Sequence, residues 1–262
     1  MGFTLITGAS SGIGEAFAKR LAAKGHDLVL VARSEDKLRR LCEELTAQCG
    51  IECHAVPLDL GEKGADERLF NETEGRGREI EWLINNAGFG SAGDFVKLDP
   101  KRELGIIDVN ISALVALTHR FLKKMRERKR GTIINVSSAA GFQPIPFMAT
   151  YAASKAFVSS FSEAIAEENR PFGIRVLALC PGSTKTNFFD ASNIERPIQV
   201  KGQQTVDQVV DTALKAIASN RTKIVSGWVN YIGAVAGILV PNFISSRVMA
   251  KALRPRHQKE LL

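Results

Sequence analysis

Only four of the 262 residues are cysteine, two are tryptophan, two are tyrosine and four are histidine. Cys42, Cys49, Cys53 and Cys180 contain no CxxC pair, which excludes a disulfide-stapled scaffold. The Cys49–Cys53 spacing resembles half of a metal site, but no second half or matching histidine cluster follows, so no metal is expected. No apolar run is long enough to cross a bilayer: the longest, Trp228 to Val240, falls well short of the roughly 20 residues required. The opening Met1-Gly2-Phe3-Thr4-Leu5-Ile6-Thr7 reads as a strand running into a turn rather than as a leader peptide. Two basic runs, Lys123–Arg130 and Arg247–Lys259, lack interleaved aromatics, so no nucleic-acid partner is expected. Free thiols and the absence of a leader pattern point to a reducing, cytoplasmic setting.

What is present is ordinary for a globular protein: 45% hydrophobic and 24% charged residues, with net charge +7. Short apolar runs alternate with helical patterns. The strand candidates are Phe3–Thr7, Leu28–Ala32, Glu52–Leu58, Trp82–Asn85, Thr132–Ser137, Ile174–Cys180 and Lys223–Val225. Helices are expected near Ile13–Lys24, Glu35–Gln48, Ala65–Gly77, Lys101–Arg128, Tyr151–Asn169 and Val206–Ser219. Apolar strands alternating with amphipathic helices predict an α/β fold, a doubly wound parallel sheet with helices on both faces. No repeat or linker interrupts it, so residues 1–262 read as one domain. Gly25 is placed to close the first helix, and Ser34, followed by Glu35 and Asp36, to open the second.

Between the first strand and first helix lies Thr7-Gly8-Ala9-Ser10-Ser11-Gly12-Ile13-Gly14. Glycines permit a tight turn and close approach of a pyrophosphate to the main chain, while the unpaired N–H groups of the helix start face the anion. This TGxxxGxG segment resembles the nucleotide loop of the short-chain dehydrogenase/reductase family in its compact form. The resemblance continues in order through Asp59, Asn85-Asn86-Ala87-Gly88, Asn110, Ser138, Tyr151, Lys155 and Pro181-Gly182, covering roughly residues 3 to 226. It implies a Rossmann-type sheet of about seven strands in the order 3-2-1-4-5-6-7. It further implies a cofactor site built by Gly8, Ser10, Ser11, Gly12, Ile13 and Gly14 of the loop, and Asp59 at the adenine. Asn86, Ala87 and Gly88 would lie along the ribose, and Pro181, Gly182, Thr184 and Thr186 near the nicotinamide.

Arg33 ends the second strand, where an NAD enzyme usually carries an acid for the ribose 2′-hydroxyl. A guanidinium suits a 2′-phosphate instead, with Lys37 as a second contact, so NADP(H) is the expected cofactor. Ser11 stands where many NADP-preferring relatives have a basic residue, which implies an incomplete preference.

Tyr151 and Lys155 are spaced i,i+4 and share one helix face. A free phenol titrates near pH 10, too high for ready proton exchange, and a neighbouring ammonium together with an oxidised nicotinamide ring is expected to lower that value. The resemblance makes Ser138 the residue that polarises the substrate oxygen and makes Asn110 part of a proton relay through Lys155. Tyr151 and Lys155 would also touch the cofactor ribose. The function implied is hydride transfer between NADP(H) and a carbonyl or hydroxyl of a small molecule; the alternative is a nonenzymatic NADP(H)-binding sensor or interaction protein. Residues 187–205 fall at the family's substrate loop. With Phe89, Phe142, Pro144, Pro146, Phe147 and Phe189 they suggest a hydrophobic substrate.

The tail 227–262 departs from the shortest relatives. Its apolar stretch followed by mixed Phe, Ile, Val, Arg and Lys residues suits packing on its own domain, a subunit contact or peripheral contact with an anionic membrane. A homodimer or homotetramer through the two long helices is expected, with Ala152, Ala153, Ser159 and Ser160 allowing close approach.

Overall fold

The computed structural model describes residues 2–186, 188 and 202–257. Seven strands, β1 (Phe3–Thr7), β2 (Leu28–Ala32), β3 (Cys53–Pro57), β4 (Ile80–Asn85), β5 (Gly131–Val136), β6 (Ile174–Cys180) and β7 (Lys223–Val225), form one sheet. Its order is β3-β2-β1-β4-β5-β6-β7, and every pairing is parallel. The expected order is therefore the observed one. Four of the seven strands have the bounds read from the sequence; β3, β4 and β5 differ by one or two residues at their ends.

The helices are α1 (Gly12–Ala22), α2 (Glu35–Cys49), α3 (Ala65–Glu72), α4 (Pro100–Ile107), α5 (Leu114–Arg128), α6 (Ala149–Asn169), α7 (Val206–Ala218), α8 (Trp228–Leu239) and α9 (Asn242–His257). Strand residues alternate between two cores, as a period of two requires. Ile6, Leu28, Leu30, Ile134 and Leu177 pack with Phe17 and Leu21 of α1, Leu38 and Leu45 of α2, and Val209 and Ala213 of α7. Leu5, Val29, Val31, Ile133 and Val176 pack with Leu69 of α3, Leu117, Phe121 and Met125 of α5, and Ile165 of α6. Both faces of the sheet are covered, so its strands read as continuous apolar runs.

Local signals agree with these elements. Gly25 adopts φ +78, just beyond the end of α1. Thr205 and Gln208 open α7 with reciprocal hydrogen bonds between side chain and backbone. Ser34 occupies the position before α2, but its hydroxyl makes no capping hydrogen bond and lines a cleft instead.

The helix expected over Lys101–Arg128 is divided by a π-helical turn at Asp108–Ala113. Among the described residues, Pro100–Arg128 is the one helical segment whose length and composition would suffice to cross a membrane. Its α5 portion packs Leu117, Phe121 and Met125 into the core. Cys42 on α2 and Cys53 on β3, which the sequence presents as unrelated thiols, meet with their Sγ atoms 2.6 Å apart.

Candidate active site

The order of the strands reverses at β1, with β2 on one side and β4 on the other. Loops leaving the carboxyl ends of these strands diverge there and open a crevice. The crevice is a cleft of about 840 Å³. Its walls include Gly8, Ser10, Ser11, Gly12 and Ile13 from the loop after β1, and Asn86, Ala87 and Gly88 after β4. Arg33, Lys37 and Asp59 lie at its β2–β3 end, and Thr186 and Phe188 on the opposite side.

Backbone geometry explains the loop sequence. Gly8 and Gly12 have φ +64 and +61, a region that residues with a Cβ occupy at a cost. A Cβ at Gly14 would stand 2.4 Å from the Gly8 carbonyl oxygen. Gly14 thus lets α1 close against the loop, and it lies behind the cleft wall rather than on it. Thr7 Oγ1 accepts hydrogen bonds from the N–H groups of Asn86 and Ala87, each 2.9 Å, and Asn86 Nδ2 donates to Thr7 O at 2.9 Å. These contacts lock the two loops together. The first turn of α1 then presents its N–H groups toward the cleft, and Ser11 makes no side-chain cap to cover them.

Fixed donors at the middle and cations at one end are what a dinucleotide with an extra phosphate requires, so the residues fit NADP(H). Arg33 is 79% exposed and only loosely paired, its Nη1 being 3.9 Å from Asp59 Oδ2. Asp59 Oδ1 accepts from Gly61 N at 2.9 Å, shaping the turn after β3.

The catalytic candidates converge from three elements. Ser138 follows β5 and its Oγ accepts from Ala140 N at 3.1 Å, opening the 3-10 turn Ala139–Phe142. Tyr151 and Lys155 lie on consecutive turns of α6, both buried, and the Ser138 hydroxyl is near enough to the phenol to favour its ionised form. The Lys155 ammonium lies 5.9 Å from the Tyr151 ring centroid and donates to Val136 O at 2.9 Å.

Asn110 sits within the π-helical turn. Its Nδ2 donates to Phe89 O and Ser154 Oγ, both at 3.0 Å, and its Oδ1 accepts from Phe89 N at 3.1 Å. It thereby clamps the loop after β4 to α6. A Cβ at Gly88 would be 2.9 Å from Asn110 Oδ1 and 3.4 Å from Lys155 Nζ, so only glycine lets that loop pass between them.

Electrostatics correct one expectation. Burial pushes the Tyr151 phenol up, and the nearby Ser138 hydroxyl offsets this only in part; the lowering expected from Lys155 does not prevail in the protein alone. The low polarity of the pocket disfavours phenolate more than these partners favour it. Burial also drives Lys155 down to about 8, so its charge is lost at a mildly alkaline pH.

The segment Pro181–Thr186 divides by role. Thr186 lines the cleft. Thr184 is buried and donates to Gly182 O at 3.0 Å. A Cβ at Gly182 would fall 2.1–2.3 Å from the Asn230 carboxamide, so Pro181-Gly182 marks a close approach of α8. Residue 187 and residues 189–201 of the expected substrate loop lie outside the described residues, Phe189 among them. The base of that loop is closed by hydrogen bonds of Lys185 N to Gln204 O and Gln204 N to Ser183 O. Phe188 lies 5.3 Å from the Tyr151 ring, and Phe147 stacks on His257 of α9 at 5.0 Å.

Several site residues are not evident from motif reading. Lys101 and Arg102 line the cleft, and Arg102 lies 5.4 Å over the Phe89 ring. Cations in the first turn of a helix oppose its dipole, and that mismatch is the signal in the sequence that points to an anionic ligand nearby. Asn135, outside the motifs, sits within an apolar strand; its Oδ1 accepts at 2.9 Å from Nδ2 of Asn85, the first residue of the Asn85–Gly88 motif, which also donates to Thr118 Oγ1 at 3.0 Å. Asn135 Nδ2 reaches Ser162 Oγ at 2.9 Å, tying the sheet centre to the catalytic helix.

Residues 3–197 match the family described as short chain dehydrogenase. The chain belongs to the short-chain dehydrogenase/reductase family. It is 36% identical over 201 residues to the very-long-chain 3-oxoacyl-CoA reductase of Anas platyrhynchos, an alignment covering 74% of this chain and 62% of that protein. A short-chain dehydrogenase from Sphingobium yanoikuyae, solved in complex with NADPH, is 34% identical with a TM-score of 0.81, covering 86% of this chain and 87% of that one. The bulky-bulky ketone specific alcohol dehydrogenase from Comamonas testosteroni is 30% identical with a TM-score of 0.76, covering 86% of each chain.

Proposed function

We propose that this short-chain dehydrogenase/reductase is an NADP(H)-dependent enzyme that reduces the carbonyl of a bulky apolar substrate or oxidises the corresponding alcohol. The observation that carries the reading is the Ser138–Tyr151–Lys155 set, with Tyr151 and Lys155 buried and Ser138 half-buried, beside a cleft with cations at its far end. The enzyme binds NADP(H) along the loop after β1, with Arg33 and Lys37 on the 2′-phosphate. Asp59 would serve the adenine, Asn86–Gly88 and Lys155 the ribose, and Thr186 the carboxamide. The bound cofactor supplies or accepts the hydride.

Every other step belongs to the chain. Ser138 donates a hydrogen bond to the substrate oxygen, and Tyr151 hands that oxygen its proton. Lys155 holds the positive charge that favours the resulting phenolate, and Asn110 fixes the helix turn through which the proton is replaced. Phe188 beside Tyr151 and Phe89 on the cleft wall support an apolar substrate, as do the names of the relatives. NADPH oxidation against long-chain 3-oxoacyl thioesters, steroid ketones, bulky aryl ketones and small aldehydes tests the reading. Turnover is expected with the bulky apolar members. NADPH binding with no oxidation by any of them would favour the nonenzymatic alternative.

A pH dependence follows from Lys155. Burial disfavours its charged form, so the folded protein releases this proton near pH 8 instead of the usual value above about 10. Reduction requires the proton, so kcat/KM for carbonyl reduction is expected to be level below about 8 and to fall roughly tenfold per pH unit above it. A profile that stays level to pH 10 would reject the shift.

The protein is further proposed to act as a cytoplasmic homo-oligomer, a dimer or tetramer. The outer face of α6 exposes Ala153, Ala156, Phe157 and Ser160, small residues around one large anchor. Light scattering of Phe157→Glu is expected to show a lower mass than wild type; equal mass would place the interface elsewhere.

A further inference from the structure

The helix α8 inverts the usual pattern of a surface helix. On α8 the exposed large hydrophobic residues are Trp228, Tyr231, Ile232, Ile238 and Leu239. Their spacing of three, four, ten and eleven from Trp228 puts them on one stripe. On the opposite side the fully buried residues are the small Ala234 and Gly237, with the polar Asn230 beside them. Gly237 and Asn230 pack this side against Gln143 and Gly182. The large apolar side chains thus face outward, where a soluble monomer places polar ones.

On α9, Phe243, Ile244 and Val248 continue the exposed apolar surface. Nine of the fifteen exposed large hydrophobic residues among those described lie between Trp228 and Val248, so the patch is concentrated rather than scattered.

Charge selects the occupant. No acidic residue occurs between Asp211 and Glu260. Arg247, Lys251 and Arg254 are exposed on α9, and none is ion-paired among the described residues. A second copy set on this face would bring like charges together, whereas an anionic lipid surface would neutralise them. Trp228 and Tyr231 are side chains that favour the boundary between headgroups and acyl chains. With 12 residues, α8 is about 18 Å long at 1.5 Å per residue, well below the ~30 Å of a hydrocarbon core. It can lie in the interface but not span it.

We propose that the outer face of α8 and α9 docks on an anionic lipid bilayer. The inner side of α8 packs against the 3-10 turn that follows Ser138, so docking holds the catalytic end of the molecule at the lipid surface. The docking surface stands without the enzymatic reading, and the binding test below uses no turnover.

The test is flotation of the full chain with vesicles of phosphatidylcholine containing 30% phosphatidylserine (about one lipid in three anionic), alongside pure phosphatidylcholine. Preferential binding to the anionic vesicles is expected, roughly tenfold or more, with weakening at high salt and a blue shift of Trp228 emission. Arg247→Glu/Lys251→Glu/Arg254→Glu is expected to abolish the anionic preference, and Trp228→Ser/Leu239→Ser to abolish flotation. NADPH binding, unchanged in both variants, reports that they are folded. Absence of flotation by wild type, or a concentration-dependent dimer abolished by Trp228→Ser/Leu239→Ser, would overturn the proposal.

Discussion

Tyr151→Phe is expected to lower turnover by about 10³-fold while leaving NADPH binding within a factor of two or so. The substitution removes one oxygen and keeps the ring, so the contact with Phe188 at 5.3 Å is retained. The buried neighbours Lys155 and Ser154 keep their own partners, Val136 O and Asn110 Nδ2. What disappears is the proton donor. Burial raises the phenol in the protein, so the group carries its proton throughout the neutral range and is ready to give it to a reduced carbonyl. Steady-state NADPH oxidation with the best substrate reads the loss, and a fluorescence titration of NADPH reads binding. Residual turnover above a tenth of wild type would mean that another acid serves the substrate oxygen. Loss of NADPH binding would mean that the phenol supports the fold of the cleft rather than the reaction.

Arg33→Asp is expected to cut kcat/KM for NADPH by about 100-fold and to leave NADH equal or better, inverting the preference. Each charge-assisted hydrogen bond to a phosphate contributes about 1.5–3 kcal/mol, and 1.4 kcal/mol is a tenfold effect, so loss of a bidentate pair reaches this range even after solvent screening. The new carboxylate would also stand next to Asp59, whose Oδ2 is 3.9 Å from Arg33 Nη1, making that end of the cleft acidic and suited to a ribose 2′-hydroxyl. Because the Arg33 side chain is 79% exposed, folding is expected to be unaffected, and thermal denaturation serves as the control. Equal kinetic preference in wild type and variant would remove Arg33 from the 2′-phosphate site and leave Lys37, Lys101 and Arg102 as the cations to examine.

The backbone of this protein was largely legible in its residues. Continuous apolar runs at β1, β2 and β6 needed both faces covered, and the alternation with amphipathic helices left a parallel doubly wound sheet as the economical solution. Gly8, Gly12 and Gly14 were readable because a loop that turns between strand and helix leaves few residue types able to occupy it. Tyr151 and Lys155 were readable because helical period alone brings i and i+4 together.

Other features required the chain to close in three dimensions. The π-helical turn at Asp108–Ala113 is invisible to a periodic pattern, since it arises where Asn110 bonds across to Phe89 and Ser154. The Cys42–Cys53 contact joins α2 to a strand across the next turn, a distance that spacing cannot supply. In the protein alone the Tyr151 shift is set by burial, which sequence does not reveal: a neighbour's charge is readable from spacing, whereas desolvation depends on everything packed around the pocket. The tail is the sharpest case. Its composition allowed an inward or an outward apolar face, and only the seating of Ala234 and Gly237 against the body decided that the large side chains point out. Local order follows from period and turn chemistry, which act between near neighbours; burial and facing are sums over distant segments, and the folded structure alone evaluates them.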